Sequence, residues 1–230
     1  MDELTADEVR VLGVLIEKAM TTPEQYPLSL NAIVAGANQK NNREPVIEMD
    51  DDRAFAAVAG LRAKGLAVQF DQPGMRVHKY KHAADAKLGL NPRQMAILAE
   101  LMLRGPQTLG ELRGRASRMY NIESLDVARS AVGELISRAE PLVRELPPSP
   151  GSRAERYQHL LSGAAAATQA AAGDAPASTG GHGTTVETGA GLAQRVETLE
   201  REVTRLRQAI LKLAAGLGEA DVLGDVLGDG

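Results

Sequence analysis

The sequence has no cysteine and no tryptophan, and only two phenylalanines and four tyrosines. Without cysteine there is no disulfide, no thiolate metal site and no cysteine nucleophile. With aromatics at 3%, any core must be built from aliphatic side chains. No apolar run is long enough to span a bilayer. The opening MDELTADEVR is acidic and lacks the apolar stretch of a signal peptide, so a cytoplasmic location without membrane contact is expected. The phosphate-binding patterns GxxxxGKS/T and GxGxxG are missing too.

A basic excess is also missing. The net charge is −4, but residues 1–162 hold 21 Lys and Arg against 21 Asp and Glu. Residues 163–230 hold 5 against 9, so the whole acidic surplus lies there. Neither part carries the strong basic footprint of a typical DNA-binding domain. The four histidines are His78, His82, His159 and His182. His78 and His82 have a metal-ligand spacing only on a helix, and their segment reads as a strand end. No catalytic residue, metal or cofactor is assigned.

What is present is a strong helical pattern, with 43% hydrophobic residues in a chain of 230. Thr5 and Glu8 have capping-box spacing, and Val9, Leu12, Leu15, Ile16 and Ala19 follow at helical intervals. Ser29 suits the start of a short second helix with Leu30, Ile33, Val34 and Ala37 as its stripe. Asp50 or Asp51 starts a third, which is expected to bury Phe55, Val58 and Leu61 and to stop at Gly65. Leu66, Val68 and Phe70 alternate as a strand, Asp71–Gly74 turns, and Met75–Lys81 returns. Three helices and a hairpin is the order of a winged helix.

The pattern recurs in a shorter copy. Asn91 caps, Pro92 takes the first helical position, and Met95, Leu98, Leu101 and Met102 face inward. Thr108 and Glu111 form a second capping box. Ser124 starts a third helix whose expected core face is Leu125, Ala128, Val132, Leu135 and Ile136. Leu142–Leu146 and Arg156–Leu161 read as strands. At an offset of 86, Val11 aligns with Ile97, Leu12 with Leu98, Leu15 with Leu101 and Lys18 with Arg104. The stretch after Ser162 is Ala, Gly, Ser and Thr with little to bury, and reads as a flexible linker.

Near the C-terminus, Leu192, Val196, Leu199, Val203, Leu206, Ile210, Leu213 and Leu217 recur at alternating steps of four and three. Branched residues at one seam position with leucine at the other favour a parallel two-stranded coiled coil, so a homodimer is expected. The predicted fold is therefore mainly α with small β-wings (α+β). Residues 1–85 and 86–163 form two tandem winged-helix domains, 164–190 a linker, 191–218 the coiled coil and 219–230 a flexible tail of unassigned role.

The stretch LTADEVRVLGVLIEKAMTTPEQYPLSLNAIVAGANQKNNREPV resembles the start of the YceH-like family of uncharacterised bacterial proteins. LMLRGPQTLGELRGRASRMY and RYQHLLSG resemble its second half. The resemblance implies a tandem winged-helix fold and brings no assigned activity.

Two functions remain open. As a nucleic-acid-binding or regulatory factor, the protein would contact DNA through the polar octet NQKNNREP, with Lys40, Asn41, Asn42 and Arg43, and through Arg113, Arg115, Arg118, Arg153 and Arg156. Against this, Asp50–Asp52 at the start of the third helix would repel phosphates. As a protein-interaction or scaffold module, the same arginines would meet an acidic protein partner. Within the octet, Asn38 is suited to end the second helix in a left-handed conformation, and Pro45 biases Glu44 toward extension.

Overall fold

The computed structural model describes residues 2–71, 77–148 and 152–162, all within one compact unit. The expected linker, heptad seam and tail lie outside the described residues. The fold is mixed α and β, with seven α-helices and two small antiparallel sheets among those residues.

Helix α1, Ala6–Thr21, begins at the Thr5–Glu8 capping box, with both reciprocal bonds made. A two-residue strand β1, Leu28–Ser29, leads into α2, Leu30–Ala37, capped by Ser29. Asp50 caps α3, Asp51–Ala63, accepting from the Arg53 backbone. Gly65, at φ +71°, turns the chain out of α3. Strands β2, Ala67–Phe70, and β3, Lys79–His82, pair antiparallel, and β1 adds to the other edge of β3. After the short α4, Ala84–Leu88, the order repeats. It runs α5 Pro92–Arg104, β4 Gln107–Thr108, α6 Leu109–Ala116, α7 Leu125–Ile136, β5 Val143–Leu146 and β6 Arg156–His159. The sheet orders β1-β3-β2 and β4-β6-β5 are the same.

The core explains why α1 and α5 have apolar residues on every side. Each is packed by its own half and by the other, since α1 lies along α5. Gly13 permits the approach: a Cβ there would lie 3.0 Å from Leu103.

Four expectations fail, three of them for a reason visible in the packing. Phe55 and Leu125 are 56% and 48% exposed, not core. The inward positions of α3 are Ala54, Ala57, Val58 and Leu61, small enough to let the helix sit close to α1 and α2. Val68 also faces out, because Leu66 and Ala67 take the inward places where the chain enters the sheet. Asn38 ends α2 at φ −88° and bonds the Met49 backbone instead; the left-handed residue is Asn42, at φ 60°. The two-residue strands β1 and β4 carry no local pattern and were not expected.

Candidate functional site

The octet and the second half meet at one site. Arg43, expected on the surface, is the correction: its side chain is 0% exposed. Its Nη1 and Nη2 donate to the two Glu17 carboxylate oxygens at 3.1 and 2.5 Å. Nε donates to the Gly36 carbonyl, and further bonds reach Gln39 and the Asn42 carbonyl. A guanidinium so completely bonded has nothing left to offer a phosphate.

Arg118 joins the same carboxylate from the other half, donating to Glu17 Oε1 at 2.5 Å and to Glu100 Oε2 at 3.0 Å. Glu100, on α5, also holds Arg104 at 2.9 Å. Arg104 in turn donates to the Asn42 side chain, and the Glu44 N–H donates to the Leu103 carbonyl at 2.9 Å. The octet is thus a structured loop clamped onto α5. Burial opposes ionisation of Glu17, but the bonds and charges of Arg43 and Arg118 outweigh it and hold the carboxyl below its ordinary range. Burial lowers and the two carboxylates raise Arg118, with a net rise. Outside this clamp lies a hollow of about 360 Å³ lined by Glu17, Lys18, Gln39, Lys40, Asn41, Asn42 and Arg118.

The remaining candidates are dispersed. Arg113 donates to the Ile122 and Glu123 carbonyls and ties α6 to the turn before α7. Arg115 pairs with Glu111 at 3.1 Å and donates to Gln107. Arg153 is exposed and lines a different hollow with Arg129, Leu125 and Tyr157. Arg156 is half-buried on β6. Of the nine, Lys40, Asn41, Asn42, Arg43 and Arg118 come together; the others do not.

Three residues of the site were not read from the sequence. Glu17 and Glu100 sit in LGVLIEKAM and MAILAELML, and a single carboxylate inside an apolar stretch is the signal that could have found them. Arg104 was visible only as the repeat partner of Lys18. The outer face of α3 is the other feature the sequence concealed. Asp52, Phe55, Ala56, Ala59 and Ala63 are all exposed at helical spacing, next to exposed Asp50 and Asp51.

His78 pairs with Asp71 at 2.8 Å, while the His82 N–H donates to the Tyr26 hydroxyl. Among the described residues there is no group of three or more His, Cys, Asp or Glu that could hold a metal ion. Among them, too, no helix is long and apolar enough to cross a membrane.

Comparison with known proteins gives a family. The family described as "Protein of unknown function, DUF480" matches residues 4–152. The chain is 44% identical over 213 residues to the UPF0502 protein azo0627 of Azoarcus sp. (strain BH72), covering 93% of this chain and 90% of that one. It is 47% identical over 215 residues to a UPF0502 protein of Pelobacter propionicus, covering 91% and 93%. With the UPF0502 protein GSU0233 of Geobacter sulfurreducens it shares 49% over 156 residues, covering 68% and 71%. With this coverage on both sides, the chain belongs to the UPF0502 (DUF480) family of uncharacterised bacterial proteins.

Proposed function

We propose that the protein is a non-enzymatic, dimeric tandem winged-helix module that docks a protein partner on the outer face of α3. The element order, helix–strand–helix–helix–hairpin in each half, supports the winged-helix reading. The heptad seam supports the dimer. In a DNA-binding winged helix, α3 would enter the major groove. Here it opens on Asp50–Asp52 and shows Phe55, Ala56, Ala59 and Ala63 to solvent, with Phe55 56% exposed. That single face carries the reading: its acidic first turn disfavours phosphate, with exposed Arg62 only at the far end, and its middle offers an apolar strip. The complementary partner is a basic amphipathic segment, and not the acidic one that unpaired arginines would have invited.

Site-specific photo-crosslinking at Phe55 in the native host tests this. The reading expects discrete protein adducts from position 55 that disappear when Asp51 and Asp52 are both changed to Lys. Adducts no more frequent than those from Lys79 on the hairpin would overturn it.

A second reading, nucleic-acid binding, has one observation in its favour. Lys18, Lys40 and Arg118 converge on the polar hollow beside the octet, where Asn41 and Asn42 add hydrogen-bonding groups. It predicts phosphate-type contacts and a steep salt dependence.

A further inference from the structure

A cavity of about 450 Å³ lies where α1, the octet, the C-terminal end of α5 and the end of β6 meet. Its volume is in the range of small-molecule sites, which are mostly apolar with a few convergent polar groups. The wall fits that description. Leu4, Val9, Pro45, Ile47, Met102 and Pro106 supply the apolar lining.

Two polar groups in the wall are out of keeping with a merely structural seam. Arg10 is 5% exposed. Its Nη2 donates to the carbonyl of Pro45, another residue of the wall, at 2.6 Å, and its Nη1 finds no acceptor among the described residues. Arg43, Arg53 and Arg118 each have a carboxylate; Arg10 has only a carbonyl. Burial, with the nearby charge of Arg43, pushes its pKa down to about 10, so it remains a cation at neutral pH. A buried cation without a counter-ion is costly. His159, also in the wall, has Nδ1 buried and without a partner among the described residues. Burial pushes it down to about 4, which leaves the ring neutral and able to donate from one nitrogen.

We propose that this cavity binds a small apolar monocarboxylate, whose carboxylate neutralises Arg10 and accepts from His159 while its apolar body fills the lining. A monoanion matches the charge. The wall holds one uncompensated guanidinium, with Glu44 at the rim and Asp7 already held by Arg53 at 2.7 Å. A phosphate dianion would face an excess of negative charge there. This inference does not rest on the α3 docking reading, because the two surfaces are lined by different residues.

Isothermal titration calorimetry of the full chain with octanoate, and with octanol as its uncharged counterpart, is the test. Octanoate is expected to bind the native protein. Arg10→Met keeps the length and removes the charge; it is expected to weaken octanoate by about tenfold or more while leaving octanol unchanged. Ile47→Trp, at a half-buried position of the wall, fills the space without touching Arg10 and should abolish both. No heat with millimolar octanoate overturns the proposal. So does octanoate binding that is indifferent to Arg10→Met. Should Arg10→Met fail to fold, Ile47→Trp decides: loss of octanoate binding supports the site, and retained binding overturns it.

Discussion

Glu17 is a carboxylate at the end of the apolar stretch of α1, with a side chain 1% exposed and two arginines on it. Its folded pKa is depressed. The stability it contributes is therefore present above the unfolded carboxylate value, about 4.3, and is lost as pH falls through the folded one. Glu17→Gln leaves Arg43 buried without a counter-ion. It should cost about 3–5 kcal/mol in urea denaturation at neutral pH; a loss under about 1 kcal/mol, the scale of a surface pair, would contradict the clamp. His159 behaves in the opposite sense to a paired histidine. Burial holds its folded pKa at about 4, against the ordinary histidine value of 6.5. Between those values the unfolded chain binds more protons, so stability falls as pH falls through that window, by roughly 3 kcal/mol at the bottom. His159→Gln should flatten this part of the stability-versus-pH curve, and an unchanged slope would show that His159 takes no part in it. At this scale the sequence disclosed residue types but not partners. Arg43 stands out in a polar octet, yet its carboxylate lies 26 positions away, a separation no local spacing encodes. The offset of 86 aligns Glu17 with Leu103 and Glu100 with Val14, which concealed both.

Elements were legible where their signals are local. The Thr5–Glu8 and Thr108–Glu111 boxes and the caps Ser29, Asp50, Asn91 and Ser124 all fall where side-chain chemistry places them. Strands β1 and β4 were not legible, because two residues carry no period and exist only through pairing with β3 and β6. The turn of α3 about its axis was also hidden. Its apolar residues are spread around the helix, so Phe55 looked like core although Ala54 and Ala57 take the inward places. Close packing of α2 on α1 gives the prediction that belongs here. A Cβ on Gly36 would lie 2.6 Å from Cγ1 of fully buried, β-branched Val14. Gly36→Ala should therefore cost about 1–3 kcal/mol despite its better helix propensity. Chemical denaturation showing a stabilised variant would mean that α2 sits farther from α1.

For the whole molecule, the twofold repeat was readable from the matching apolar positions of α1 and α5. That these helices pack on one another was not, because periodicity says which residues are buried and not against what. If the seam at 192–217 makes the dimer, deleting everything after Ser162 should give a monomer, and so should Leu206→Pro in the full chain. Sedimentation equilibrium reads the mass directly, and a truncated chain that stays dimeric would place the interface in the described unit. A structural role for Arg43, Arg104 and Arg118 is what separates the docking reading from the nucleic-acid one: with Glu17 and Glu100 they hold the octet, α1, α5 and the end of α6 together instead of facing a phosphate backbone. Fluorescence anisotropy of a random DNA duplex, titrated with the full chain at low salt and again at rising salt, tests it most directly. The expected result is no rise in anisotropy with the native chain even at low salt, with a rise appearing only after Asp51 and Asp52 are both changed to Lys. Binding by the native chain that falls steeply with salt, and persists when Lys18 and Lys40 are both changed to Ala so that arginines must carry it, would contradict it.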